Sequence, residues 1–80
     1  MAKYAPLTTY LRRQKLAEVH LSFRDIERIV RGILPKAAND ARWWLAADGD
    51  AQQPQHIAFT EAGFVARPSI RSERVRFVKA

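Results

Sequence analysis

The first hydrophobic pattern in the chain is helical. Leu7 is followed at three and four residues by Tyr10 and Leu11, a spacing that places all three side chains on one face of a helix. Pro6 directly precedes them, and proline suits the first turn of a helix because its missing N–H would have no partner there. We therefore predict a short helix that buries this face.

A strand and the clearest helix come next. Residues 18–22 alternate polar and apolar side chains, which predicts a short strand with its apolar side chains facing inward. Residues 23–31 carry Phe, Ile and Val side chains at helical spacing. Ser22 and Asp25 have the spacing of a capping box, with Asp in place of the usual Glu, and Gly32 is suited to end the helix.

The second half of the chain predicts a helix, a loop and a hairpin. Residues 36–45 are rich in alanine and predict a helix, and residues 46–54 predict a polar loop. Residues 55–62 fit either a strand or a short helix. Residues 64–67 and 74–78 predict the two strands of a hairpin.

This order of elements predicts a small α+β domain, with one domain over residues 1–80. It runs helix, strand, helix and helix, and it ends in a C-terminal β-hairpin. Apart from the extra short helix that residues 55–62 would add, it is the element order of a winged helix-turn-helix domain. A winged-helix-like fold is therefore our expectation.

The chain contains a series of short motifs, namely YxPLxxYL from Tyr4, VxLSFxxIExI from Val19, LPxA from Leu34, RWW from Arg42, QxxAFxxAGF from Gln55 and VxF from Val75. Together they resemble a family of short, uncharacterised bacterial proteins and terminal domains. Members usually have polar residues after the tryptophan pair and a further aromatic residue where Phe59 stands, whereas Leu45 and two alanines follow the pair here. The resemblance implies one domain over most of the chain and no particular activity.

The charge of the chain is positive and unevenly distributed. Lys and Arg number 14 against 8 Asp and Glu, which gives a net charge of +6 and a pI near 10.5. Residues 1–42 carry net +5 and residues 67–80 net +4, while residues 43–66 carry net −3. Such a balance favours a polyanionic partner. If the two ends meet in the fold, they form one positive surface.

Composition also bears on compartment and chemistry. The chain has no cysteine, which excludes disulfides and thiolate metal sites and predicts a reducing, cytoplasmic location. No apolar run approaches the ~20 residues that cross a bilayer, so we expect no membrane partner.

The sequence gives little support to a catalytic site. His20 and His56 are the only histidines, and neither has a Ser or carboxylate at a spacing typical of a triad or a zinc site. Asp48 and Asp50 flank Gly49 and indicate a turn rather than paired catalytic carboxylates. Three glycines in all leave no phosphate-cradling loop. We expect no enzymatic activity, no cofactor and no metal.

Our leading hypothesis is a small regulatory protein that binds nucleic acid, double-stranded DNA first and RNA second. Arg24, Arg28 and Arg31 form a stripe opposite the apolar face of their helix. In a winged helix this element lies across the DNA backbone, where arginines contact phosphates. The alternative is an ordinary solvated helix face.

Two further groups would complete this interface. Lys36, Asn39 and Arg42 lie where a recognition helix would stand, and Asn and Arg can read base edges there, although an ordinary polar helix face is equally consistent. Asp40 would repel phosphate unless it pairs with Lys36 or Arg42. The hairpin would be the wing, able to enter a minor groove, unless it is only a solvated turn. Its cations are Arg67, Arg71 and Arg74, with Arg76 behind them.

The adjacent Trp43 and Trp44 support a second hypothesis. Neighbouring residues on a helix point about 100° apart, so we expect one ring in the core and one partly exposed. An exposed ring could stack on an unpaired base or anchor a protein partner. The domain would then be a protein-interaction module, a regulator or inhibitor from a mobile element or defence system. A homodimer is a further expectation, because a thin core leaves apolar surface uncovered.

Overall fold

The computed structural model describes residues 3–45 and 53–80, and in these ranges the chain forms a mixed α+β fold. This confirms the predicted fold class. Two 3₁₀ helices, Lys36–Asn39 and Ile70–Ser72, accompany the regular elements. These elements are α1 (Ala5–Arg12), β1 (Glu18–Ser22), α2 (Phe23–Val30), α3 (Ala41–Trp44), α4 (Pro54–Glu61), β2 (Phe64–Ser69) and β3 (Arg74–Lys79).

The three strands form one antiparallel sheet in the order β1-β3-β2. The last strand of the chain is therefore the central one, with β1 and β2 at the edges. Alternate side chains on each strand are buried, as the period of a strand requires, and Phe77 and Val75 of β3 are at most 1% exposed. The opposite face of the sheet carries mostly exposed polar and charged side chains, together with Val65 and Val78, and we call it the open face.

The helices cover the buried face of the sheet. α1 packs against α2 and α4, and α4 packs against β2. Leu11 of α1, Ile26 of α2 and Phe59 of α4 are each at most 2% exposed, so one core joins the helices to the strands. Thr8 adds a buried polar link between two helices, because its Oγ1 donates to the Ala58 carbonyl at 2.6 Å.

The start of α2 agrees with its sequence signature, but its end does not. Ser22 Oγ accepts from Asp25 N–H at 3.0 Å, and the Asp25 carboxylate accepts from Ser22 N–H at 3.1 Å, which is the predicted capping box. The left-handed residue that ends the helix is Arg31, with φ 56°, rather than Gly32. The Gly32 N–H then reaches back to the Glu27 carbonyl at 3.1 Å and closes the helix end.

The single helix predicted over residues 36–45 is wrong in one respect, because the chain breaks at Asp40. Asp40 is extended, with φ −110° and ψ 128°, and its carboxylate caps α3 by accepting from Arg42 N–H at 2.9 Å. Trp44 stabilises the break from the other side, since its Nε1–H donates to the Ala38 carbonyl at 2.8 Å. Residues 36–45 therefore form two short helical pieces separated by the extended Asp40.

The ambiguous segment after the loop is a helix, α4, and the hairpin strands are longer than predicted. Gly63, at φ 84°, turns the chain from α4 into β2. β2 continues through Pro68, which an edge strand tolerates because one side of its backbone needs no ladder bond. The predicted polar loop at residues 46–54, with Asp48 and Asp50, lies for residues 46–52 outside the described residues.

Candidate nucleic-acid interface

The two cationic stretches of the chain meet at one end of the sheet. The N–H of Phe23, the first residue of α2, donates to the Glu73 carbonyl in the hairpin turn at 2.8 Å. One residue away, Ser22 of β1 pairs directly with Arg74 of β3. The backbone therefore joins the N-terminus of α2 to the hairpin turn, although some fifty residues separate them in sequence.

The pKa of Asp25 reflects the approach of the hairpin turn to α2. The pKa of its carboxyl group is lowered, first by the hydrogen bond from Ser22 N–H, then by the Ser22 side chain and by the nearby charges of Arg28 and Arg74. Arg28 Nη1 lies 3.9 Å from Asp25 Oδ1. One helix arginine and one hairpin arginine thus flank the same carboxylate, and both remain exposed.

Arg24 and Asn39 line a cleft between α2, the first 3₁₀ helix and the hairpin turn. The cleft has a volume of about 230 Å³, and Glu27 and Glu73 line it as well. The Glu27 carboxylate is engaged, because it accepts from Leu34 N–H at 2.9 Å. The cleft brings two predicted contact residues together, but it mixes both signs of charge.

Arg42 and Asp40 neutralise each other at the start of α3. Arg42 Nη2 lies 2.8 Å from Asp40 Oδ2, and Arg42 Nε contacts both carboxylate oxygens at 3.2 Å. The side-chain hydrogen bonds from Arg42, followed by its backbone N–H, lower the pKa of Asp40 to about 2. Arg42 therefore offers less free charge to a ligand than its position suggests.

Other predicted contact residues lie apart from this junction. Arg31 follows the C-terminus of α2, the end opposite the hairpin turn. Lys36 is exposed on the first 3₁₀ helix, and Arg71 is exposed on the second, in the hairpin turn itself. Of these three, the structure places Arg71 beside the junction.

Arg67 lies on the open face rather than at the tip of the hairpin. The strand register places it directly opposite Arg76, and Arg76 lies directly opposite His20 of β1. His20 did not emerge as a contact residue from the sequence. Its alternation with Val19 and Leu21 assigned it to the outer face, but the strand it pairs with could not be predicted.

The two tryptophans divide as adjacent helical positions predict. Trp44 is 1% exposed and stacks on Phe23, with ring centroids 5.5 Å apart. Trp43 is half-buried and packs edge-on against Tyr4 at 5.9 Å. Trp44 therefore has no ring face for a base or a partner, and only Trp43 retains part of one.

A buried polar cluster follows Trp43. Gln55 Nε2 and His56 Nε2 each donate to the Trp43 carbonyl at 3.0 Å, and both side chains are buried. These bonds join α3 to α4 across the intervening loop. They give His56 a structural role in the core.

A match to a family model covers residues 4–80, and the family is described as a domain of unknown function, DUF7662. The chain belongs to this family. The matched range begins at Tyr4, where the first of the motifs noted above begins. No protein of curated function and no solved structure shows significant similarity to this DUF7662 member.

The motifs of this DUF7662 domain are mostly structural. Leu11, Ile26 and Phe77 are fully buried, Ser22 caps α2, and Gly63 provides the turn before β2. Among the arginines of the candidate interface, only Arg42 occupies a specified position of these motifs, and Arg24, Arg28 and Arg76 fall at unspecified positions within them.

Two observations on the described residues concern other chemistries. No three of their His, Asp or Glu side chains are grouped so that they could hold a metal ion. Within the same ranges, no helix has the length and apolar character needed to cross a membrane.

Proposed function

We propose that this domain binds nucleic acid, and specifically double-stranded DNA, through arginine contacts to the phosphate backbone. The observation that supports it is the junction between α2 and the hairpin turn, held by the Phe23–Glu73 backbone hydrogen bond. Arg24, Arg28, Arg71 and Arg74 all lie on the elements that meet there. Several cations gathered on one side of a basic protein are the usual electrostatic footprint of nucleic-acid binding.

A winged-helix-like mode of contact is consistent with this arrangement. In that mode α2 lies across the backbone and the hairpin serves as the wing. The sheet order β1-β3-β2 and the position of the turn beside α2 support this geometry. The segment in the place of a recognition helix is broken at Asp40, and Arg42 is paired, so base reading has little support and we propose binding without strong sequence preference.

The test replaces Arg71 and Arg74 with alanine. It measures the affinity for a fluorescently labelled duplex of about 20 bp at NaCl concentrations from about 25 to 200 mM, a range over which phosphate contacts weaken strongly. Each phosphate contact contributes about 0.9 to the slope of log affinity against log salt, so the double variant should bind more weakly and flatten the slope by roughly 2. Arg12→Gln/Arg13→Gln at the C-terminal end of α1 removes the same charge away from the junction and is the matched control.

Unchanged affinity and slope in the Arg71/Arg74 variant would remove the hairpin from the interface. An equal loss in the α1 control would show that only net charge matters. Phosphate contacts are strongest at low salt, on the order of 20–50 mM. If the wild-type chain binds no duplex at about 25 mM NaCl, the proposed function is wrong.

The protein-interaction alternative has less support. It requires an apolar patch centred on the tryptophan pair, and Trp44 is buried with its indole N–H already bonded to Ala38. A complex with a protein from the native cell, recovered by a chain that fails to bind duplex, would favour this alternative.

A further inference from the structure

The open face of the sheet carries three rows of side chains that cross all three strands, and two of them are cationic; the third is Glu18, Val78 and Val65. The register places His20, Arg76 and Arg67 in one row, on β1, β3 and β2 in that order. The neighbouring row is Ser22, Arg74 and Ser69. Three arginines and two hydroxyl groups thus face the same side.

The first row opposes like charges. Arg67 and Arg76 are direct cross-strand partners, and like charges in such positions destabilise a sheet. Glu18 compensates on one side only, with its Oε1 at 3.2 Å from His20 Nε2 and 3.7 Å from Arg76 Nε. In the part of the chain that the structure describes, Arg67 has no carboxylate within ion-pair distance. The free protein therefore retains repulsion that a bound anion would relieve.

Every residue of these two cationic rows except Ser22 lines a shallow recess of about 360 Å³. No carboxylate is among the described residues that line it. Guanidinium and hydroxyl groups donate hydrogen bonds, and a planar guanidinium group can donate two parallel hydrogen bonds to two oxygens of one phosphate. The polar lining consists of His20, Arg67, Ser69, Ser72, Arg74 and Arg76.

The recess is continuous with the interface proposed above. Arg74 lines it, and the same side chain lies close enough to Asp25 of α2 to lower the pKa of that carboxyl group. Two residues further along β3, Arg76 and its partner Arg67 on β2 extend the cationic surface away from the junction. Arg76 lies about 6.8 Å from Arg74 along β3, from a rise of ~3.4 Å per strand residue.

We propose that the open face of the sheet is a phosphate-binding site and that it takes a phosphodiester group of the nucleic-acid backbone. This inference rests on the proposed function for the source of the phosphate. Arg67 and Arg76 grip the phosphate from adjacent strands, and Arg74 joins this contact to the one at α2.

The site is tested with pyrophosphate as a probe and Arg67→Thr/Arg76→Thr as the variant, since threonine favours strands. Without ligand, the variant should have a melting temperature roughly 1–5 °C above wild type, because the cross-strand repulsion is gone. Pyrophosphate should raise the melting temperature of wild type above that in NaCl of equal ionic strength, and it should shift the backbone amide signals of residues 20, 67 and 76 in NMR spectra.

Both responses should be lost in the variant and retained in Arg12→Gln/Arg13→Gln. Equal pyrophosphate responses in wild type and in the Arg67/Arg76 variant would overturn the site. So would a wild-type response no larger than that to NaCl.

The source of the phosphate is tested with the labelled 20-bp duplex, a length on the order of one specific binding site. The Arg67/Arg76 variant should bind it several-fold more weakly, with a salt slope flatter by roughly 2. If wild type binds duplex and this variant binds it equally well, the open face is not a nucleic-acid contact, while the proposed function stands. If wild type does not bind duplex, but its pyrophosphate response is lost in the Arg67/Arg76 variant, the proposed function fails and the phosphate site remains.

Discussion

At the residue scale, two positions take a backbone conformation that their side chains disfavour. Arg31 ends α2 and Glu73 precedes β3, both in the left-handed region at φ 56° and 51°. That region costs an ordinary L-residue about 1–2 kcal/mol, and a glycine avoids the cost. Glu73 is the only acid among residues 67–80 and lies at the proposed interface, where its negative charge opposes the proposed binding of nucleic acid.

Replacing Glu73 with glycine should therefore improve both stability and binding. We expect the free energy of unfolding to rise by about 0.5–1 kcal/mol, after allowing for the greater freedom of glycine in the unfolded chain. The affinity for duplex at low salt should also rise, because a carboxylate beside the arginines is gone. Urea denaturation and the duplex titration measure the two effects.

Glu73→Gln separates the two causes, because it removes the charge and keeps the left-handed side chain. It should increase affinity without increasing stability. A glycine variant no more stable than the glutamine variant would show that the turn carries no strain.

At the scale of the elements, α2 depends on the capping box between Ser22 and Asp25. The box satisfies two N–H groups that the first turn of a helix leaves without partners. It also places a negative charge at the positive end of the helix dipole. The junction with the hairpin depends on this end, because Phe23 N–H is the donor to Glu73.

The capping box should make stability depend on pH in the acid range. The folded-state pKa of Asp25 is lowered, chiefly by the hydrogen bond from Ser22 N–H. At pH values above the ordinary pKa of an Asp, the ionised carboxylate therefore stabilises the folded state. That contribution is lost as the pH falls through the folded-state pKa. We expect wild type to melt above Asp25→Asn at pH 7, an advantage that shrinks below about pH 4, near the ordinary Asp value.

Thermal unfolding followed by circular dichroism from neutral to acid pH measures this difference. Asp40 titrates in both proteins and cancels in the comparison. A difference in melting temperature that stays constant over the whole range would mean that the charge of Asp25 contributes nothing.

At the scale of the whole molecule, β3 holds the fold together. It is the last strand in sequence and the middle strand of the sheet, so both β1 and β2 depend on it for pairing. Its Phe77 is fully buried and packs against Phe59 of α4, with ring centroids 5.7 Å apart. The sheet and the helical layer therefore meet at this strand.

Phe77→Ala should cost about 3–5 kcal/mol, a large part of the 5–15 kcal/mol that stabilises a typical domain. Val78→Ala on the open face of the same strand should cost roughly 1 kcal/mol or less, since it leaves no core cavity. Chemical denaturation of both variants checks the contrast. Similar losses in the two would contradict the assignment of the core to one face of β3.

Much of this architecture was predictable because its signals are local. The helical spacing of residues 7–11 and 23–30, the capping box and the alternation in the hairpin each depend on a few neighbouring residues. The break at Asp40 was not predictable, since its stabilising bond from Trp44 to Ala38 forms only when the tryptophan is held in the core. The left-handed residue that ends α2 is Arg31, one position before the predicted Gly32. The sequence pattern does not locate a helix end to a single residue.

The candidate interface was only half predictable. Its basic residues are visible in the composition, but Arg42 proves to be paired with Asp40, and Arg67 lies on the open face rather than at the hairpin tip. His20 joined the cationic row only through strand pairing.

By itself, then, the sequence determined the identity and order of most elements, because hydrophobic periodicity and helix caps depend on residues only a few positions apart. It also determined that cations crowd the two ends of the chain. Only the tertiary structure decided which cations share a surface. The sheet joins His20 to Arg76, residues more than fifty positions apart, and such long-range pairings are set by the packing of the whole core rather than by either strand alone.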